Sequence, residues 1–148
     1  MIRLFCSDFD GTLSPNTTIS PENIRAIRRL QDAGIVFALV SGRPKANAHM
    51  LLARAGLTVP MITSNGSVVT LADGRDLLVK GIATDAIEDI LEVANQRKSF
   101  YIAYEKERCF LPPWVPFLGA GGLTRLVQRK TGILPLRVKR EDLSGWTV

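Results

Sequence analysis

Two aspartates separated by a single residue, Asp8 and Asp10 in the segment DFDGT, are the side chains of this sequence best suited to chemistry. They follow a short apolar run, Ile2 to Ser7, which reads as a buried strand ending in a functional loop. In extended backbone, residues two apart share a face, so both carboxylates can converge on one ligand. Two carboxylates facing a phosphate dianion would repel it, so the arrangement calls for a cation between them, and an oxygen-rich site suits Mg²⁺. Asp8 is then a candidate nucleophile, able to form an aspartyl-phosphate. Asp10, with its pKa raised by the neighbouring carboxylate, is a candidate acid that protonates a leaving group and later activates water. Gly11 lets the backbone come close to phosphate, and Thr12 can hydrogen-bond to Asp10 and hold it. Taken alone, DFDGT is an Asp-Gly turn after a strand, which is common.

A second element changes the weighing. Ser41-Gly42-Arg43-Pro44 follows another apolar run and opens a helical segment, where free backbone N–H groups and the helix dipole favour an anion. A Ser hydroxyl and an Arg fork are suitable phosphate donors in that place. Alone, Ser41 would be an ordinary N-cap.

The elements that must position these groups can be read from patterning. Ile2 to Ser7, Ile35 to Val40 and Val59 to Thr63 are predicted strands, the second continuously apolar, as a strand covered on both faces in a parallel sheet should be. Between them lie two helices. The first has Ser20 as N-cap, Pro21 at its first position, Ile24, Ile27 and Leu30 on one face and Gly34 as stop; the second runs from Pro44 to Gly56. Strand, helix, strand, helix, strand implies right-handed crossovers and an α/β, doubly wound parallel sheet, here only partial. Val68 to Leu71, a tight turn at Asp73-Gly74 and Asp76 to Lys80 read as a hairpin. Thr84 caps a third helix bearing Ile87, Ile90, Leu91 and Ala94, followed by strands at Phe100 to Tyr104 and Arg108 to Leu111. A helix with Leu123, Leu126 and Val127 and a strand-like tail from Leu136 complete the pattern. The expected division is residues 1–79, half of an α/β core with its hairpin, and residues 80–148, part of an α+β module.

Composition narrows the classes. With 148 residues, 46% hydrophobic and 22% charged, the chain can bury a core. Apolar runs are short and the first residues carry acids, so neither a membrane span nor a signal peptide is expected, and the location is read as cytoplasmic. The net charge of +5 is spread along the chain instead of forming a stripe with aromatics, which speaks against nucleic acid and for a solvated surface or attraction to anionic substrates. Cys6 and Cys109 lack metal-ligand spacing and read as reduced, structural thiols, Cys6 as a small hydrophobe in a buried strand. His49 reads as a helix residue and not as a ligand.

The segments DFDGTL (8–13), LVSGRP (39–44) and ITSNGS (62–67) resemble, in order, the first two motifs and the following strand end of haloacid dehalogenase-like phosphatases. The branch most similar is the Cof-like group, in which an α+β cap is inserted after the third strand. The resemblance implies a Rossmann-like core and Mg²⁺-dependent hydrolysis of sugar phosphates or similar small phosphorylated metabolites. It implies Asp8 as nucleophile, Asp10 as acid/base, Asp8 and the Asp10 carbonyl on Mg²⁺, and Ser41 on the phosphate with Gly11, Thr12, Gly42, Arg43 and Asn65 close by. Two further family elements, a phosphate-binding lysine and a second acidic metal loop, have no counterpart here. Lys45 reads as a solvated helix residue, and Glu141-Asp142 lacks the context of a metal loop.

The family's first strand is central, so without the strand bearing that loop Ile2, Leu4 and Cys6 should line an open edge. A second copy of the chain or a complementing chain is expected to cover it. The apolar stretch Phe110 to Leu118, with Trp114 and Phe117, is either an exposed surface, facing substrate in an intact cap or serving as a contact patch here, or cap core. The alternative function is a truncated or split-gene product without catalysis of its own, acting as a phosphate- or partner-binding module. A response-regulator receiver fits poorly, since its phosphoacceptor Asp is replaced by Ile62-Thr63-Ser64-Asn65, and a nucleic-acid binder ranks last.

Overall fold

A computed structural model describes residues 2–105, 108–115, 122–131 and 135–137. The chain divides into two compact units, Met1–Val79 and Lys80–Val148.

Unit 1 contains β1 (Leu4–Asp8), α1 (Pro21–Asp32), β2 (Val36–Val40), α2 (Lys45–Arg54), β3 (Met61–Thr63), a 3₁₀ turn (Ser64–Gly66), β4 (Val68–Thr70) and β5 (Asp76–Val79). They build one sheet in the order β1-β2-β3-β4-β5, the first three strands parallel and the last two added antiparallel. The local signals work as expected for α1. The Ser20 side chain accepts a hydrogen bond from the Asn23 N–H, Pro21 holds the first helical position, and Gly34 follows the end with φ +73°. Because strand order equals chain order, right-handed crossovers put α1 and α2 on the same face of the sheet. There Ile27 of α1 and Leu51 and Leu52 of α2 bury against Phe37, Leu39 and Met61. Register aligns Asp8 with Val40 and Val40 with Ile62, so three parallel strands deliver their carboxyl ends to one level.

On its outer side β1 pairs with no other described strand. Leu4 is 56% exposed, and Phe5 and Cys6 are exposed too. This corrects the reading of Cys6 as a buried hydrophobe: a parallel strand is buried only when both flanks are occupied, and here one is open. The hairpin also differs from the tight two-residue turn expected. The Leu71 N–H donates to the Arg75 carbonyl and the Gly74 N–H to the Leu71 carbonyl, enclosing Ala72, Asp73 and Gly74, the last at φ +87°. This is the three-residue loop with a left-handed glycine. Lys45, expected to be solvated, instead ties α2 to this hairpin through Asp76 at 2.7 Å, a carboxylate that also accepts from the Thr70 hydroxyl.

Unit 2 contains α3 (Thr84–Gln96), β6 (Ala103–Glu105), β7 (Arg108–Leu111), α4 (Leu123–Thr131) and β8 (Pro135–Arg137). The sheet order is β6-β7-β8, with β6 antiparallel and β8 parallel to β7. Leu91 and Phe110 form the centre of its core, with Ile87, Tyr101 and Ala103 against them. Ile90, expected on the same helical face, is exposed. Thr84 is the first helical residue, and the cap position belongs to Ala83, without a side-chain cap bond. Of the apolar stretch from Phe110, residues Phe110, Leu111, Pro112 and Val115 are buried and Trp114 is 39% exposed, which favours core over surface. Phe117, Leu118, Glu141 and Asp142 lie outside the described residues. Among the described residues no helix is long and apolar enough to cross a membrane.

Candidate functional site

The carboxyl ends of β1, β2 and β3 carry the three segments singled out in the sequence. Asp8 is the last residue of β1 and Asp10 lies just beyond it; both are exposed, while Phe9 between them is fully buried in the helix-side core. That alternation sends the aspartates away from the core together. Backbone bonds then close the loop: the Leu13 N–H donates to the Asp8 carbonyl, the Ser14 N–H to the Phe9 carbonyl and the Gly11 N–H to the Ser14 carbonyl. Gly11 sits at φ +77°, a conformation that a side chain would resist. The buried Ser14 hydroxyl donates to the Thr18 carbonyl, and the Asn23 side-chain amide reaches back from α1 to the Leu13 carbonyl. The loop is therefore anchored by its own backbone and by α1.

Arg43 joins this loop to the turn after β2. Its Nε and Nη2 donate to the two carboxylate oxygens of Asp10 at 2.8 and 2.7 Å, a bidentate fork. Its Nη1 donates to the Oδ1 of Asn47 at 2.7 Å, and its guanidinium lies 5.3 Å from the Phe9 ring centroid. Asp10 is 54% exposed and Arg43 22% exposed at the side chain. The hydrogen bonds from Arg43 hold the Asp10 carboxyl below its ordinary value of 3.8, with partial burial acting in the opposite direction. The expectation of a raised pKa is thus corrected, since a cation at hydrogen-bond distance favours the charged form. Thr12, expected to hold Asp10, is exposed and makes no hydrogen bond to it; Arg43 does that work.

Ser41 is buried, and its N–H donates to the Ile62 carbonyl of β3 at 2.8 Å. Its Oγ accepts from the Arg43 N–H at 3.2 Å, which leaves the hydroxyl hydrogen to donate elsewhere. Ser41 is not the helix cap, because α2 begins at Lys45 with Pro44 at the cap position. The turn is pressed against the segment after β3. A Cβ on Gly42 would lie 2.8 Å from the Asn65 Oδ1, so a larger residue here would have to displace the Asn65 side chain. The Ser64 N–H donates to the Arg43 carbonyl at 2.9 Å, and Ser64 and Asn65 are both left-handed, at φ +51° and +56°. Two consecutive non-glycine residues in that region represent stored backbone strain.

Arg43 therefore holds Asp10 and Gly42 lies against Asn65, with Asp8 and Ser41 on the same three strand ends; Gly11 shapes the loop and Thr12 stands apart. Asn47 escaped the sequence reading, although its position four residues after Arg43 on a predicted helix was a usable signal. Ser14 and Asn23 were likewise missed, since their partners are carbonyls that no sequence motif marks.

The expectation of Mg²⁺ can be held against the oxygen donors present. The Asp8 carboxylate receives no hydrogen bond or ion pair from the described residues, and the Asp10 carbonyl is left out of the loop's hydrogen bonds. Two oxygen donors from the protein suit an ion that fills its other positions with water and phosphate oxygens. Among the described residues no group of three or more His, Cys, Asp or Glu side chains gathers to form a fuller metal site.

Known proteins resemble this chain in sequence and in fold. The chain is 32% identical over 92 residues to an HMP-PP phosphatase of Serratia proteamaculans (strain 568), matching 62% of this chain and 34% of that protein. It is 32% identical over 97 residues to an HMP-PP phosphatase of Yersinia pestis (strain Pestoides F), matching 65% of this chain and 36% of that one. The chain thus spans about a third of the curated relatives it matches. A haloacid dehalogenase-like hydrolase of B. subtilis superposes with a TM-score of 0.70 at 26% identity, over 75% of this chain and 39% of that one. One from Bacteroides thetaiotaomicron gives a TM-score of 0.78 at 17% identity over all of this chain and 55% of that one, a likeness of fold. Since the model of the haloacid dehalogenase-like hydrolases matches residues 5–114, most of its length, the chain belongs to that family.

Proposed function

We propose that the chain is the nucleophile-bearing part of a Mg²⁺-dependent phosphomonoester hydrolase acting on a small phosphorylated metabolite, a sugar phosphate or similar. One observation carries the reading: of the two exposed carboxylates at the end of β1, Asp10 is bound by a bidentate ion pair to Arg43 of the turn after β2, which supports reading these strand ends as one site. The Serratia and Yersinia relatives are HMP-PP phosphatases, which supports phosphate release as the chemistry.

In this mechanism an Asp8 carboxylate oxygen attacks phosphorus, forming an aspartyl-phosphate as the bond to the ester oxygen breaks. The leaving oxygen takes a proton from Asp10. Water then attacks the same phosphorus with Asp10 as base, releasing inorganic phosphate and restoring Asp8. The Arg43 fork favours the carboxylate form of Asp10, so at rest the site is set for the base role, and the acid role requires the fork to loosen. The Ser41 hydroxyl and the N–H groups of its turn donate to the phosphate oxygens. Mg²⁺, held by Asp8 and the Asp10 carbonyl, supplies charge neutralisation at the phosphoryl group.

The test is release of phosphate from p-nitrophenyl phosphate with and without Mg²⁺. The wild-type chain should turn over only with the ion, and Asp8→Asn should fall to the buffer rate; equal turnover by Asp8→Asn would refute the assignment. A second reading, a phosphate- or partner-binding module without turnover, is favoured by the sparse donor set among the described residues. Titration calorimetry separates the two, because a module of this kind binds phosphate yet holds Mg²⁺ only weakly.

A further inference from the structure

Asn47 is not part of any motif, lies on α2 and is 2% exposed, yet it is linked through Arg43 to the exposed Asp10. We propose that Asn47 is a positioning residue: through Arg43 it fixes where the Asp10 carboxylate stands, linking the interior of α2 to the loop after β1. The inference rests on the phosphatase reading for its meaning, but not for its geometry.

Three neighbours constrain the Arg43 guanidinium in different directions. Asp10 takes Nε and Nη2 side-on, Asn47 takes Nη1, and the buried Phe9 ring lies at 5.3 Å as a face for the cation. A flexible arginine with a single exposed partner would sample many rotamers, and an exposed ion pair by itself orders little. Asn47 supplies what the ion pair lacks, since its helix position is locked by packing and its side chain is short and buried. Three of the five guanidinium N–H groups are engaged in these bonds, so two remain to meet an anion while Asp10 is still held. Arg43 can in this way serve the acid/base and the phosphate together, provided its plane is fixed, and Asn47 fixes it. Asn47 needs only an acceptor oxygen for the task, and aspartate also offers one.

The experiment compares the full chain with Asn47→Leu and Asn47→Asp, reading the Arg43 Nε–H resonance by ¹H–¹⁵N NMR and the affinity for inorganic phosphate with Mg²⁺ by calorimetry. Thermal unfolding serves as the control for folding. The wild type should show a dispersed, slowly exchanging Nε–H signal that Asp10→Asn weakens. Asn47→Leu should lose the signal and bind phosphate about tenfold more weakly, as expected for loss of one charge-assisted hydrogen bond, while Asn47→Asp keeps both. Should Asn47→Leu not fold, Asn47→Ser, whose hydroxyl falls short of Nη1, takes its place. An unchanged signal in the leucine or serine variant overturns the proposal. So does loss of the signal in a folded aspartate variant, which would make Asn47 a packing residue only. Failure of the phosphatase reading would show separately, as absent turnover with the Arg43 signal and its Asn47 dependence intact.

Discussion

The Asp10–Arg43 pair is the feature whose energetics can be worked furthest. Two unit charges about 4 Å apart interact by about 1 kcal/mol in water and about 4 kcal/mol near a protein surface at an effective dielectric of about 20. With Asp10 54% exposed, solvent screens much of this, and the bidentate geometry restores part of it, so a coupling of about 1 kcal/mol is expected. A double-mutant cycle with Asp10→Asn and Arg43→Met isolates that coupling. The direction of its pH dependence follows from the lowered folded pKa of Asp10. Its stabilisation is complete above the unfolded value of 3.8 and disappears as pH falls through the folded value. The coupling should therefore be full at pH 7, weaken below about pH 4 and shrink in about 1 M salt.

The choice of reporter matters. Trp114, Trp146, Tyr101 and Tyr104 all lie beyond Val79, so fluorescence follows the second unit and not the site. Amide exchange of Leu39, whose N–H donates to the Pro60 carbonyl inside the first unit, reads opening where the pair sits. A coupling below about 0.3 kcal/mol at pH 7, or one that persists undiminished near pH 2, would refute the reasoning.

Three further expectations follow from single observations. Burial pushes the Cys109 thiol up to about 11 while Cys6 is exposed on the β1 edge, so maleimide at pH 7.5 should label Cys6 in the native chain and Cys109 only after denaturation. The buried Thr63 hydroxyl has no hydrogen-bond partner among the described residues, so Thr63→Val should stabilise the first unit by about 1 kcal/mol in Leu39 amide exchange; destabilisation would reveal a partner for that hydroxyl. Gly42→Ala should push the Asn65 side chain aside and weaken inorganic phosphate binding about fivefold by calorimetry, with the fold retained by circular dichroism.

Much of the first unit was legible because its signals are local. Ser20, Pro21 and Gly34 mark α1 through bonds made within a few residues, and the apolar run of β2 needs no distant partner to be recognised. Errors gathered where a distant neighbour decides. Cys6 sits in a strand-like pattern, but its exposure depends on whether anything lies beyond β1. Lys45 has the sequence context of a solvated helix residue and is claimed by Asp76, far along the chain. Ile90 has helical spacing that admits two faces, and packing against Phe110 selects the one bearing Ile87 and Leu91.

For the site the division is similar. Residue types and spacing alone determined that Asp8 and Asp10 end a strand and that a glycine turn with Ser41 and Arg43 ends the next. Charge state is different in kind, because it is set by whichever group stands within hydrogen-bond distance. Two adjacent carboxylates suggest a raised pKa for Asp10, and the fold reverses it by folding Arg43, 33 residues away in sequence, onto that carboxylate. The role of Asn47 was likewise invisible, since a buried amide acquires meaning only from the guanidinium it faces. Sequence determined which groups are available and in what order; the tertiary structure decided which of them touch, and with that their protonation and their hold on one another.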